Sequence, residues 1–452
     1  MSHRTNRRRF LKQASTLATT AVASPAILRA MSPSETVCVA GVGVGGKGWV
    51  DINGAAASAR VVAFCDVQTG TNRKGGFGQA AEQWPQARRY VDWREMLDKE
   101  HKNLDGVTVS TPDHMHAPIT MTALQLGLGA YTQKPLTRTI HEARQLTVAA
   151  RKAGVATQMG NQHHNGRTYR TLVQLIRDGA IGKITEAHAW SNRPIWPQGL
   201  DRPQGEDPVP EGFDWDLWLG VAPVRPFVSN VYHPFKWRGW YDFGAGALGD
   251  MGCHIIDPVV WAMGLGPAVT VWYEGPEHED SGPKPESFPE WERIHYDFAG
   301  TQYTAADTIH VVWHDGGKLP PVELAQMPAG TKLPANGTLF VGEKGTLVTP
   351  HGSSVTPALY PLEKFRDYEI PQIEAANPYR QWTDAIRGEG KTTSGFDYAG
   401  PLTETVLLGT IASRVPETKL QWNSAELKFT NSALANEFVR QEYRKGWEVE
   451  GL

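Results

Sequence analysis

The stretch Val37–Gly48, VCVAGVGVGGKG, decides the fold of this 452-residue chain. It begins as a short apolar run typical of a buried strand and continues into glycines spaced G-x-G-x-x-G. Such glycines allow a tight turn, a close approach of the backbone to a pyrophosphate and close packing of the next helix. The stretch therefore predicts a dinucleotide site; the alternative is a glycine-rich turn of an unrelated α/β domain. The residues expected to hold the cofactor here are Gly41, Val42, Gly43, Val44, Gly45 and Gly46.

The next apolar run indicates which dinucleotide binds. Residues 60–67, RVVAFCDV, are strand-like, and Asp66 follows Gly46 by 20 residues. A carboxylate at this place can bind the adenosine ribose hydroxyls and would repel a 2′-phosphate. NAD is therefore favoured over NADP, although Arg73 and Lys74 in the following loop would suit a phosphate.

Strand-like and helix-like segments alternate from residue 34 to residue 162. This alternation predicts parallel βαβ units and a doubly wound sheet of the Rossmann type. Ligands of such sheets bind beyond the carboxyl ends of the strands. The rule marks four loops as candidate binding segments, namely Gly41–Gly46, Asp66–Gly78, Thr111–His116 and Gln133–Leu136.

The pattern changes after Gln162. Alternating strand-like runs predict a second, α+β domain over residues 163–370, built on a large, mostly antiparallel sheet. Its segment 193–240 is rich in proline and aromatic residues and is expected to form long ordered loops. The tryptophans of that insert are predicted to be core anchors, or to stack on a sugar ring. Residues 371–452 are expected to form helices that pack back on both domains.

Composition excludes some partners. With 40% apolar residues, 21% charged residues and a formal net charge of −3, the chain is typical of a soluble globular protein with no affinity for nucleic acid. The N-terminal residues 6–12, NRRRFLK, are similar to a twin-arginine export signal. The apolar stretch behind them is too short for a stable membrane span. Residues 1–31 are therefore predicted to be a signal peptide and linker that direct a folded, cofactor-loaded protein to the periplasm; a disordered basic tail is the alternative.

Three polar segments carry the candidate chemistry. Lys134 follows a predicted strand and would point into the cleft as a proton acceptor or hydroxyl orienter. Asp250 and His254 lie four residues apart at a helix start, where a carboxylate can fix the tautomer of an imidazole. The third segment is the polar run NQHHN at residues 161–165, which suits hydrogen bonds to several hydroxyls. A solvated lysine, an N-capping aspartate and a core histidine are the structural alternatives.

Zinc ligation is the competing interpretation of the histidines. Asp113, His114, His116 and the pair His163–His164 are suitable ligand types. No H-E-x-x-H or C-x-x-C spacing accompanies them, so no metal is predicted.

These motifs, in this order, resemble the Gfo/Idh/MocA oxidoreductases, whose type members are glucose–fructose oxidoreductase and inositol dehydrogenase. The resemblance covers residues 36 to the C-terminus and rests on GVGVGG, CD, STPDHMH, QKPLT, MGNQ, DMGCHIID and LFVGEKGTL. It implies that Lys134, Asp250 and His254 are catalytic, and that the protein is a homodimer or homotetramer associated through the open sheet face. It also implies further cofactor contacts from Thr111, Pro112, His116, Gln133, Lys134 and Asn161. Substrate contacts are expected from His163, His164, Arg167, Trp237, Asp250 and His254.

One position departs from the family pattern. The lysine is usually preceded by glutamate, and this chain has Gln133. The expected function is an exported NAD-dependent oxidoreductase that acts on a carbohydrate or cyclic polyol, with His254 or Lys134 as the base. A redox-assisted glycosidase that oxidises, eliminates and reduces again is the main alternative. A non-catalytic sugar or nucleotide sensor is the lesser one.

Overall fold

The structure is a computed structural model that describes residues 36–70, 75–276, 286–352 and 354–452. The predicted signal peptide and linker, and also Arg73 and Lys74, lie outside the described residues. Within the described ranges, no helix combines the length and apolar character needed to cross a membrane.

The first sheet is parallel throughout and has six strands. Their spatial order is β3-β2-β1-β4-β5-β6, with the strand of the glycine motif at the centre. This arrangement confirms the predicted doubly wound sheet, since the order reverses beside β1. The strands are β1 Cys38–Val42, β2 Arg60–Cys65, β3 Arg88–Tyr90, β4 Gly106–Val109, β5 Gly129–Thr132 and β6 Thr157–Met159.

Helices connect these strands, and local sequence sets their ends. The last of them begins at a capping box, in which Thr139 and Glu142 satisfy each other's backbone amides, and it ends at Gly154 in the left-handed conformation. The helices are α1 Lys47–Ala56, α2 Phe77–Gln83, α3 Trp93–Glu100, α4 His116–Gln125 and α5 Ile140–Ala153.

The second sheet has nine strands in the order β13-β12-β11-β7-β10-β9-β8-β14-β15. Only the pairing of β7 with β10 is parallel, so the predicted mostly antiparallel sheet is confirmed. One face is core, because Ile294, Tyr296 and Phe298 are buried while their neighbours along the strand are not. The strands are β7 Ile184–Trp190, β8 Ala268–Glu274, β9 Arg293–Ala299, β10 Thr308–His314, β11 Gly337–Gly342, β12 Gly345–Pro350, β13 Ala358–Tyr360, β14 Leu420–Asn423 and β15 Lys428–Phe429.

One long helix joins the two sheets. It begins at Phe396 and continues through Pro401, because burial of 14 of its 17 residues outweighs the helix-breaking effect of that proline. It packs against α5 of the first sheet and β8 of the second. The remaining helices are α6 Arg167–Arg177, α7 Trp215–Leu219, α8 Gly246–Ile255, α9 Asp257–Met263, α10 Pro378–Ile386, α11 Phe396–Ala412 and α12 Ala433–Glu437.

The insert 193–240 consists mainly of ordered loops, as predicted, with α7 as its one α-helix. Its aromatic rings form a separate buried cluster that includes Phe213, Trp218, Tyr232, Trp237 and Trp240. The prediction of core anchors is therefore confirmed for these tryptophans.

Candidate active site

The glycine turn at the end of β1 has room only for glycine at its second position. Gly43 adopts a φ of +75°, and a Cβ there would lie 2.7 Å from the carbonyl oxygen of Ser110. The backbone is thus exposed to the space beyond the strand, where a phosphate group can approach it.

Asp66 lies beside that turn, at the carboxyl end of β2. Its Oδ2 accepts a hydrogen bond from the amide of Val44 at 2.9 Å, and its Oδ1 accepts one from the amide of Gln68 at 3.0 Å. Burial raises the pKa of Asp66, and the two amides oppose that effect. The carboxylate is therefore fixed next to the glycine turn, where the prediction places it.

A cavity of about 600 Å³ extends from this turn to the predicted catalytic residues Lys134, Asp250 and His254. Most of the predicted residues line it: Val42, Gly43, Gly45, Gly46, Asp66, Thr111, Pro112, His116, Gln133, Lys134, Trp237, Asp250 and His254. Others do not line it: Gly41, Val44, Asn161, His163, His164 and Arg167. The structure thus brings residues of the first domain, the insert and α8 together around one space.

Buried polar atoms along the cavity lack partners in the described protein. They include Oγ1 of Thr111 and Oε1 of Gln162. Buried hydroxyl and amide groups are costly to leave unsatisfied, so their natural partner is a polar ligand. Together with the glycine turn and Asp66, these groups fit a dinucleotide.

The carboxylate of Asp250 is the centre of a cluster of cations. Its Oδ1 accepts hydrogen bonds from Lys134 Nζ at 2.7 Å and from Arg238 Nε at 3.0 Å, while Arg193 Nε lies 3.9 Å from Oδ2. Burial favours the protonated form, but Lys134 and Arg238 hold the pKa of Asp250 at about 2. Asp250 is therefore ionised and positions the lysine.

His254 belongs to a group of rings instead. Its ring centroid lies 5.5 Å from that of His163 and 5.6 Å from that of His351, and its Nδ1 has no hydrogen-bond partner in the described protein. The expectation that Asp250 orients His254 is wrong, because the cations occupy that carboxylate. Burial, and then the charge of Lys134, hold the pKa of His254 well below its usual value. The imidazole is neutral and able to accept a proton.

Gln133 takes part in a buried network around a carboxylate of α1. Its Nε2 donates to Oδ2 of Asp51 at 2.9 Å, and Oγ of Ser110 donates to the same oxygen at 2.7 Å. Tyr379 and Lys47 bind the other oxygen of Asp51. A glutamate at position 133 would place a second negative charge against Asp51, whereas the amide of Gln133 donates a hydrogen bond to it.

His116 connects two loops at the cavity wall. Its ring nitrogens lie 2.8 Å from the carbonyl oxygen of Pro135 and 2.9 Å from that of Thr111. Burial lowers its pKa to about 4. The side chain thus fixes the segment that carries Lys134 relative to the loop after β4.

Three residues predicted to contact the substrate do not line the cavity: His163, His164 and Arg167. His164 is 2% exposed, lies 3.0 Å from Asp257 and stacks on Trp261, so it belongs to the core. Arg167 is exposed at the start of α6 and does not line the cavity. Within the polar run, the ring of His163 lies beside that of His254, whereas the ring of its neighbour His164 turns into the core.

Sequence reasoning missed four contributors: Asp51, Arg193, Arg238 and His351. Arg238 follows Trp237 directly, and that aromatic–basic pair was the available signal. His351 follows β12, nearly a hundred residues after His254, and no local pattern relates the two.

The first sheet and part of the second lie in regions that match domains of one protein family. The NAD-binding Rossmann domain of the GFO_IDH_MocA oxidoreductases matches residues 36–161, and the C-terminal alpha/beta domain of the same family matches residues 180–308. Together the two matches span more than half of the sequence. The chain belongs to the Gfo/Idh/MocA oxidoreductase family.

Sequence identity to individual relatives is low and covers only part of each protein. The chain is 35% identical over 134 residues to 1,5-anhydro-D-fructose reductase of Ensifer adhaerens, covering 28% of this chain and 38% of that protein. It is 28% identical over 185 residues to inositol 2-dehydrogenase of Leifsonia xyli subsp. xyli, covering 40% of this chain and 54% of the relative. The chain thus spans about a third to a half of the length of these curated relatives.

Solved structures share the whole fold. The WlbA dehydrogenase of Bordetella pertussis, in complex with NADH and UDP-GlcNAcA, superposes with a TM-score of 0.58 at 16% identity. The match covers 86% of this chain and 99% of that one. At this identity the similarity shows a shared fold alone.

Proposed function

We propose that this Gfo/Idh/MocA protein oxidises a ring hydroxyl of a carbohydrate or cyclic polyol, with NAD as its cofactor. The observation that carries the proposal is the position of Lys134, Asp250 and His254 at one end of a cavity whose other end is the glycine turn. The bound dinucleotide supplies a two-electron acceptor for the hydride of the substrate carbon.

The side chains at that end suit removal of a hydroxyl proton. The neutral imidazole of His254 can accept it, and Lys134, held by Asp250, can donate a hydrogen bond to the hydroxyl oxygen. Trp237 lies at the cavity wall and offers an apolar surface to a sugar ring.

The relatives support this class of substrate. One is a reductase of an anhydro sugar and another is a dehydrogenase of inositol. NAD is proposed over NADP because the fixed carboxylate of Asp66 beside the glycine turn would repel a 2′-phosphate.

We further propose that the protein is exported by the twin-arginine route, retains its cofactor tightly and forms a homodimer or homotetramer. The first element rests on the basic and apolar pattern of residues 6–23. Tight retention follows from export, because little free dinucleotide is available outside the cytoplasm to replace one that is lost. No feature of the described residues favours the redox-assisted glycosidase or the sensor.

Two measurements test the proposed function. Native mass spectrometry of the purified protein is expected to show one co-purified dinucleotide per chain, with the mass of NAD. Incubation with a panel of aldoses and inositols is then expected to raise the absorbance of the reduced nicotinamide, and Lys134→Met is expected to abolish that rise while retaining the bound nucleotide. A protein that purifies free of nucleotide and binds none added to it would overturn the proposal.

A further inference from the structure

The charges around Asp250 do not balance. Three cations, Lys134, Arg193 and Arg238, lie within 4 Å of its carboxylate. Their side chains are 13%, 26% and 19% exposed, so water screens them incompletely. One carboxylate thus serves three partly buried positive charges.

A nearby acid compensates only in part. Among the described cavity-lining residues, Asp113 is the other carboxyl group close to Lys134 and Arg238. Burial raises its pKa to about 7 against the opposing effect of Lys134 and Arg238, so much of it is protonated near neutral pH. The imidazoles of His254 and His351 are neutral and add no negative charge. The end of the cavity is therefore cationic.

Arg238 is arranged to receive an anion. Its Nε donates to Asp250 and its Nη1 donates to the carbonyl oxygen of Phe235. In the part of the chain that the structure describes, no oxygen accepts a hydrogen bond from its Nη2. The guanidinium stacks 4.2 Å from the ring centroid of Trp237, which fixes its plane at the cavity wall.

The cofactor does not account for this excess of positive charge. The glycine turn, the start of α1 and Lys47 line the other end of the cavity, and they would hold the pyrophosphate of the cofactor. We infer that the substrate carries a carboxylate, as a uronic or aldonic acid does, and that Arg238 binds this group with support from the charge of Arg193. The inference rests on the proposed function and specifies the substrate class of the same site.

Matched pairs of sugars test the inference. The cofactor-loaded protein is titrated with glucuronate and glucose, galacturonate and galactose, and mannuronate and mannose, with tryptophan fluorescence as the binding signal and nicotinamide absorbance as the turnover signal. At least one uronate is expected to bind about tenfold or more tightly than its neutral partner, because a hydrogen bond between two charged groups is stronger than one between neutral groups. That preference is expected to fall as ionic strength rises.

Variants assign the effect to Arg238. Arg238→Met is expected to remove the preference, chiefly by raising KM for the uronate, and Arg238→Lys is expected to keep part of it. Arg89→Met, a loss of an exposed arginine on β3, is the charge-matched control and is expected to change nothing.

The binding results decide whether the substrate carries a carboxylate that Arg238 binds. If no uronate binds better than its neutral partner, or if the preference survives in Arg238→Met, the inference is overturned. Binding of glucose 6-phosphate in preference to every uronate would overturn the carboxylate assignment. A uronate that binds with the expected preference but never reduces the cofactor would support the inference while contradicting the proposed function.

Discussion

Replacement of Gln133 by glutamate tests whether Asp51 carries the negative charge of the network at the end of β5. In the wild type, Gln133 Nε2 donates to Asp51 Oδ2 at 2.9 Å in a buried setting. The Gln133→Glu substitution removes this hydrogen bond to a charged group, worth about 1.5–3 kcal/mol. It also places two carboxylates in contact, and at this separation their repulsion is about 6 kcal/mol for an effective dielectric constant of about 20.

Protonation of one carboxyl group relieves the repulsion and so limits the total loss of stability. The introduced carboxyl group is expected to have a raised pKa in the folded state, so it binds a proton there that the unfolded chain has released. We expect a loss of about 3–5 kcal/mol in the free energy of unfolding at pH 7, of which a large part returns as the pH falls toward 5.

Urea unfolding followed by tryptophan fluorescence at pH 5 and pH 7 measures the effect, with the exposed substitution Gln372→Glu as control. The double variant Asp51→Asn with Gln133→Glu is expected to recover to within about 1 kcal/mol of the wild type, since it exchanges the charge between the two positions. Wild-type stability of Gln133→Glu at both pH values would refute the reasoning.

Four other predictions concern the site. Lys134→Ala is expected to lower kcat by about 10²–10⁴-fold while leaving the bound NAD in place, as measured by stopped assays and by nucleotide content. His254→Gln is expected to reduce acid sensitivity: because the folded-state pKa of His254 lies below the unfolded value near 6.5, its contribution to stability is complete above that pH and is lost below it. The variant should therefore remove up to about 2 kcal/mol of the stability loss between pH 7 and pH 5 in urea titrations. Gly43→Ala is expected to yield protein without nucleotide and with a lower Tm, because its Cβ would meet the carbonyl oxygen of Ser110. Asp66→Ala is expected to reduce the discrimination between NAD and NADP by about tenfold in titrations of nucleotide-free protein.

The parts of this molecule that follow local rules were accessible from sequence. The spacing of the glycines, the acid after the second strand and the alternation of segments depend on neighbours within about 30 residues, and they predicted the first sheet and the site at its edge. The second sheet was also predictable in kind but not strand by strand, because β13 to β15 are short and β12 follows β11 after two residues.

The remainder depends on long-range contacts. Nothing near Asp250 indicates that Arg193 and Arg238 bind it in place of His254, since these residues come from loops of the insert. The roles of His164 and His351 were likewise hidden: one ring turns into the core against Trp261, and the other reaches the site from the far end of β12. Tertiary packing determined these side-chain orientations, and no periodic pattern in the sequence indicates them.

Helix α11 limits how far the two sheets can separate. Its buried residues contact α5 on one side and β8 on the other, so separating the two sheets would expose this apolar helix of 17 residues to water. Such exposure would exceed the few kilocalories per mole by which folded proteins are stable. Separation of the two sheets is therefore disfavoured, because α11 contributes its buried residues to both of them.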